Sequence, residues 1–322
     1  MSFAVFKGQG PIAGWTASGG DAMKDPTGYR SGPELARAVN VALTLRMPLL
    51  VTGDPGTGKT QLAYRMAAEL GLGPVLRFNT KSSSTASELF YTFDTVRQFA
   101  QSQLEAAAGR ALPDARQFVR PQALGRAILS ALEPAEVETQ LGPGHRHAQA
   151  LRSLVLIDEI DKAPRDFPND LLNQIEEREF HLPELGAHFR APEALAPVIV
   201  ITSNSERQLP EAFLRRCVYH HIEFPKDLDE LQQILGQRLQ SLQLNSARMT
   251  DALQLFFRVR EEKAFSRAPS TSELLDWLRA LKAHGLQEDQ PLQQQGAALM
   301  AAAGSLFKTR EDLDHARRLF AA

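Results

Sequence analysis

Leu50-Val51-Thr52-Gly53-Asp54-Pro55-Gly56-Thr57-Gly58-Lys59-Thr60 is the stretch from which the rest of the chain can be read. Its spacing is G-x-x-x-x-G-K-T. Glycines at these positions let backbone N–H groups crowd around phosphate oxygens, Lys59 reaches the β and γ phosphates, and Thr60 supplies a hydroxyl to Mg²⁺. Upstream, Pro48-Leu49-Leu50-Val51 is an apolar run suited to a strand; downstream, Leu62, Ala63, Met66, Ala67 and Leu70 recur at helical spacing. Strand, glycine loop and helix in that order bring the unpaired N–H groups and positive dipole end of the helix to the phosphate. The nucleotide-binding candidates are therefore Gly53, Asp54, Pro55, Gly56, Thr57, Gly58, Lys59, Thr60 and Gln61.

A chain of 322 residues exceeds the usual single-core size, which suggests one α/β domain with a smaller second domain. Lys+Arg 36 against Asp+Glu 38 gives a formal charge of -2, so there is no global basic field to hold nucleic acid. Cys217 is the single cysteine, which excludes an internal disulfide and a thiol-built metal site and suits a reducing cytoplasm. Although it follows Arg215-Arg216, it reads as a buried small apolar residue. Met1 to Lys7 lack the basic-then-apolar design of a signal peptide, and no run approaches the roughly 20 apolar residues of a membrane span. The expectation is a cytoplasmic protein without a membrane span.

Residues 8 to 33, rich in Gly, Pro, Ser and Thr, read as a surface lead-in to a helix starting near Pro33-Glu34-Leu35, with Tyr29 or Arg30 in reach of an adenine. Val75-Leu76-Arg77-Phe78 reads as a second strand. Phe90, Tyr91 and Phe93 lie in an apolar cluster between polar segments. That cluster is either an insertion with its own task or aromatic packing onto the domain. His145 and His147 have no nearby Cys or acidic pair to make a metal site.

Leu154-Val155-Leu156-Ile157 suits a strand buried on both faces of a parallel sheet, and such strands deliver ligands at their carboxyl ends. Asp158 is then placed to hold Mg²⁺, and Glu159 to polarise the water that attacks the γ-phosphate. Residues 170 to 177 read as a helix, and 179–183 with 188–190 as a hairpin around Glu184-Leu185-Gly186-Ala187. Val198-Ile199-Val200-Ile201 is a further strand whose carboxyl end presents Asn204 for a hydrogen bond to water or phosphate. Arg215 and Arg216 either complete a helix dipole or reach a neighbouring subunit's γ-phosphate. Residues 218 to 224 alternate like a fifth strand, on which His220 and His221 face opposite ways. After Pro225 the pattern is helical, through Leu231, Leu235, Leu253, Phe256, Leu274, Leu278, Leu281 and Leu313 to Phe320.

Phosphate loop, Asp158-Glu159, a strand ending at Asn204, an arginine pair and a helical C-terminal part, in this order, resemble the AAA+ ATPases and, within them, the MoxR-type group. The most specific segments are Gly53–Thr60, Leu156-Ile157-Asp158-Glu159-Ile160-Asp161-Lys162-Ala163-Pro164 and Leu209-Pro210-Glu211-Ala212-Phe213. The resemblance implies an α/β P-loop core over residues 1–225, with a five-stranded parallel sheet between helices, and a smaller all-helical lid over 226–322. It implies a helix-2 insertion near residues 83 to 95 and a hairpin before sensor 1 at 179 to 192. It also implies ATP and Mg²⁺ as cofactors, with Thr60 and Asp158 as metal ligands. Lys59 and Glu159 are then catalytic, Asn204 is sensor 1, and Arg216 is the arginine finger with Arg215 as its competitor. Where many relatives carry a sensor 2 arginine this chain has Pro269-Ser270-Thr271-Ser272-Glu273, with Arg267 or Arg279 as substitutes. The implied activity is ATP hydrolysis in a ring, hexameric in this group, that remodels a protein client or a von Willebrand factor A domain partner. Two alternatives stand beside it: a DNA/RNA motor or restriction/defence-type NTPase, and a nucleotide-gated scaffold with slow turnover.

Overall fold

The computed structural model describes residues 5–10, 12, 25–205, 209–240, 244 and 246–321, so the expected lead-in lies partly outside the described residues, at 11 and 13–24. The chain divides into two compact units, Met1–Gly53 with Lys59–Ile222, and Asp54–Gly58 with Glu223–Ala322.

The first unit is organised by five parallel strands in the order β2-β5-β8-β1-β9. These are β1 (Leu49–Gly53), β2 (Val75–Asn79), β5 (Leu154–Asp158), β8 (Val198–Thr202) and β9 (Val218–Ile222). The three central strands β5, β8 and β1 are buried at every position. Successive side chains on a strand point to opposite faces, and the core divides accordingly. Leu50, Val155, Ile157, Ile199 and Ile201 enter one cluster, while Leu49, Val51, Leu154, Leu156, Val198 and Val200 enter the other. Each fully buried side chain of this size contributes about 1.5–3 kcal/mol relative to exposure. Apolar runs without alternation are what a sheet covered on both faces demands.

Helices α1 (Pro33–Leu45) and α2 (Lys59–Glu69) cover the second face. α1 starts at a proline and buries Leu35, Val39 and Ala42. α2 buries Leu62, Ala63, Met66 and Ala67, the residues the spacing singles out. Tyr29 is buried in the same cluster as Phe6 and Leu35, and burial pushes its phenol pKa upward.

Between β2 and β5 the chain makes a long connection that includes the segment 83–95. It holds a short antiparallel ribbon, β3 (Tyr91–Phe93) with β4 (Val119–Pro121), helix α3 (Thr95–Ala107), then α4 (Ala123–Ser130) and α5 (Pro134–Leu141). Phe90 is buried and belongs to the core, while Tyr91 and Phe93 pack against it half-buried. Helix α6 (Phe167–Glu177) leads into the hairpin β6 (Glu179–Leu182) and β7 (Ala187–Arg190), paired Phe180 with Phe189 and His181 with His188. Rings join this connection to the hairpin: Phe180 stacks on Phe90 at 5.4 Å and on Phe189 at 5.1 Å, and Tyr91 lies 6.2 Å from Phe180. A one-turn helix α7 (Glu211–Leu214) precedes β9.

The second unit is helical: α8 (Leu228–Gln240, kinked at Gly236), α9 (Ser246–Glu261), α10 (Thr271–Ala283), α11 (Gly296–Leu306) and α12 (Arg310–Ala321). Its core centres on Leu253, Phe256, Leu274, Trp277, Leu278 and Leu299. Ser270 caps α10 in a reciprocal box with Glu273, as the sequence Ser270-Thr271-Ser272-Glu273 suggests. Among the described residues no helix is long and apolar enough to cross a membrane.

Candidate active site

Lys59 opens α2 directly after the glycine loop. Its ammonium is buried and donates to the Gly53 carbonyl at 2.6 Å, at the carboxyl end of β1. Gly53, Gly56 and Gly58 all have positive φ (144°, 80° and 91°), backbone shapes that a Cβ disfavours. Within the loop, the Thr57 hydroxyl and amide both turn back to the Asp54 carbonyl, at 2.8 and 3.3 Å.

Parallel pairing sets Asn79 of β2 opposite Asp158 of β5 and Ile157 opposite Ile201 of β8. The carboxyl ends of three strands therefore meet at Asp158, which is buried. Its carboxylate accepts from the Thr60 hydroxyl at 3.2 Å and from the Thr202 hydroxyl, and pairs with the Arg77 guanidinium. Thr60 and Asp158, about 100 residues apart in sequence, thus present hard oxygen donors side by side, the donor type that suits Mg²⁺.

Glu159 turns away from its neighbour. It adopts left-handed backbone angles, φ 58° and ψ 53°, uncommon for a residue other than glycine. Asp158 consequently points into the core beside Thr60, while the Glu159 carboxylate is half exposed and accepts from Lys162 Nζ at 2.5 Å. The Glu159 amide donates to the Thr202 hydroxyl at 2.9 Å, so a single threonine anchors both acidic residues. Sequence reading singled out neither Thr202 nor Arg77; Thr202 carried a signal as the polar residue closing an apolar strand, whereas Arg77, in the middle of β2, carried none. Asn204 is exposed beyond β8, and its backbone N–H donates to Asp161 Oδ1 at 3.0 Å.

Arg215 and Arg216 are not near Lys59. β9 runs parallel to β1 with Leu49 opposite Val218 and Gly53 opposite Ile222. Arg216, two residues before Val218, is therefore at the amino end of the strands, and Lys59 Nζ at the carboxyl end. Four residues at about 3.3 Å each separate the two levels by about 13 Å. Arg216 pairs with Glu176 at 3.1 Å and Arg215 with Glu211. Both line a cavity of about 310 Å³ together with Arg46, Arg152 and Arg178, three arginines the sequence reading did not connect. The Arg152 pKa is lowered, first by burial and then by the like charges of Arg46 and Arg178.

Cys217 is buried, and burial pushes its thiol up to about 12, consistent with an inert core residue. His221 faces Thr52, its Nδ1 2.9 Å from the hydroxyl. In the second unit, Arg267 pairs with Glu273 and Arg279 with Asp276. Arg260 there lies over the Phe224 ring and donates to Asp54 Oδ2 at 3.2 Å.

Residues 48–217 match the family model of the AAA domain, dynein-related subfamily. No curated protein matches the sequence. Among solved structures, a mutant of Thermotoga maritima RuvB is 15% identical, with 89% of this chain and 68% of that chain covered and a TM-score of 0.44. The Thermotoga maritima RuvB Holliday junction branch migration motor is 14% identical, with 89% and 67% covered and the same TM-score. The matched segment spans the phosphate loop, Asp158-Glu159 and the arginine pair, more than half of the chain, and the chain belongs to the AAA family of ATPases, in its dynein-related subfamily.

Proposed function

We propose that this ATPase works as a cytoplasmic ring of copies, hexameric by its resemblance, in which each Mg²⁺-dependent site is completed by the neighbour. One copy supplies Lys59, Thr60, Asp158, Glu159 and Asn204, and the next supplies Arg216 or Arg215. The observation that carries this reading is the position of the arginines at the end of the sheet remote from Lys59. They cannot reach their own chain's γ-phosphate, whereas a polyanion presented by another copy would meet a cavity lined by five arginines, among which Arg46 and Arg178 already repel Arg152. Arginines acting in trans in other NTPases raise turnover by about 10³–10⁵.

The work done by hydrolysis is remodelling of a bound protein, as in the MoxR-type group, with von Willebrand factor A domain proteins as the client class. The stacked Phe90, Phe180 and Phe189 support it, since they join the helix-2 insertion to the hairpin and let the two move as one piece against a client. Steady-state ATPase should be measured against protein concentration for wild type, Glu159→Gln and Arg216→Ala, with mass followed by light scattering. Specific activity rising with assembly, with both variants inactive and Glu159→Gln still forming ATP-bound rings, supports the proposal. Activity independent of concentration and of Arg216 overturns it. Stimulation by DNA in place of protein clients would move the chain to the motor class.

A further inference from the structure

The hairpin β6–β7 alternates in burial. Phe180, Leu182 and Phe189 are buried, whereas His181, His188 and Arg190 are exposed. Because the side-chain period of a strand is two, Glu179 and His181 share one face of β6, and His188 and Arg190 share that face of β7. Register then sets His181 directly across from His188 and Glu179 across from Arg190. The two imidazoles stack at 4.3 Å with 12° between their planes. Glu179 Oε2 is 3.4 Å from His188 Nε2, and Oε1 is 4.0 Å from His181 Nε2. One ligand atom from each of the three residues lies within 4.8 Å of the others.

We propose that this face of the hairpin binds a divalent transition-metal ion through His181, His188 and Glu179. Two nitrogens and one carboxylate oxygen are the donor set of three-ligand zinc sites, which leave a fourth corner open. Around a tetrahedral ion with bonds of about 2.0–2.1 Å, ligand atoms sit about 3.3 Å apart, close to the oxygen–nitrogen spacings of 3.4 and 4.0 Å, and the two imidazoles turn out of their parallel stack so that both nitrogen lone pairs converge on the ion. Imidazole favours Zn²⁺, Ni²⁺ and Cu²⁺ over Mg²⁺, which prefers oxygen. The site therefore discriminates against the magnesium that accompanies ATP. Both histidines are well exposed, 68% and 45% at the side chain, so the ion enters without opening the fold. Arg190, 3.6 Å from Glu179 Oε2, is the competing cation that binding must displace. The rigid support comes from behind, where Phe180 and Phe189 stack in the core. The open corner faces solvent and is available to water or to a ligand group of a bound protein.

The test is titration of the full chain with Zn²⁺ by calorimetry, and with Co²⁺ by visible absorption, in millimolar Mg²⁺. Wild type is compared with His181→Ala/His188→Ala, Glu179→Gln and Arg190→Ala. Other histidines exist in the chain, so the readout is the difference between proteins. Wild type should bind one equivalent more than the double variant and show the d–d bands of a tetrahedral Co²⁺ site. Glu179→Gln should weaken binding about tenfold or more, and Arg190→Ala should tighten it. Far-UV circular dichroism checks that the variants, altered at the exposed His181, His188 and Arg190 and the partly buried Glu179, stay folded. Equal stoichiometry and affinity in wild type and the double variant, or no binding by wild type at millimolar Zn²⁺, overturns the proposal.

Discussion

Arg216 and Lys59 stand at opposite ends of one pair of parallel strands, β9 and β1, with Leu49 opposite Val218 between them. If hydrolysis needs both residues, they must come from different copies. Lys59→Met and Arg216→Ala should each lower turnover by about 10³ or more alone. Mixed in equal amounts they should regain activity, because some sites then pair an intact Lys59 with a neighbour's intact Arg216. A coupled ATPase assay on the mixture decides it: no recovery means that Arg216 does not act across copies.

Arg77 pairs with the buried Asp158 carboxylate. If Asp158 holds Mg²⁺ as proposed, the guanidinium repels the incoming cation and must swing aside. Arg77→Met should lower the Mg²⁺ concentration for half-maximal activity about threefold to tenfold, equivalent to roughly 1 kcal/mol. Magnesium titrations of the two proteins test this, and an unchanged midpoint counts against it.

Phe180 touches Phe90, Tyr91 and Phe189 and is buried. Phe180→Ala should cost about 3–5 kcal/mol, as a large aromatic lost from a packed core. Urea unfolding measures it. ATP binding by the folded variant should be retained, since the residue lies outside the phosphate site.

The Cys217 thiol, raised by burial to about 12 from an ordinary value of 9.0, titrates later in the folded state than in the unfolded one. Its contribution is fully present below pH 9 and is lost as pH rises towards 12, because unfolding then releases a proton. Cys217→Ala should flatten the fall in unfolding free energy across that window. At neutral pH the thiol of the folded protein should resist alkylation, and mass spectrometry after iodoacetamide reads this directly.

Much of the first unit was legible because its strands are uninterrupted apolar runs. Leu49–Val51, Leu154–Ile157 and Val198–Ile201 have no polar alternation, and a doubly covered parallel sheet is the arrangement that tolerates this. The hairpin was legible through its turn, where Gly186 has φ 60°. Helix α3 was not. Its apolar residues Val96, Phe99 and Leu104 recur at helical spacing, yet it buries no residue and leaves all three exposed, so its pattern points to no core. β4 spans three residues and ends in Pro121, too little for a pattern. Around the site, the loop, Asp158 and Glu159 are contiguous motifs. Thr202 and Arg77 reach Asp158 only through the register of three strands drawn from distant parts of the chain. The histidine pair likewise exists only once β6 and β7 are in register.

The left-handed backbone at Glu159 restricts which amino acids that position can hold before any chemistry is considered. Valine, isoleucine and threonine carry a second branch at Cβ and are strongly disfavoured in that conformation, whereas glycine, asparagine and aspartate accept it most easily. A saturation library at position 159 would thus return two superimposed maps, one of backbone tolerance and one of proton transfer. Only replacements matched in backbone preference separate them, and the glutamate-to-glutamine exchange is the cleanest, because it changes a charge and leaves the turn as it was.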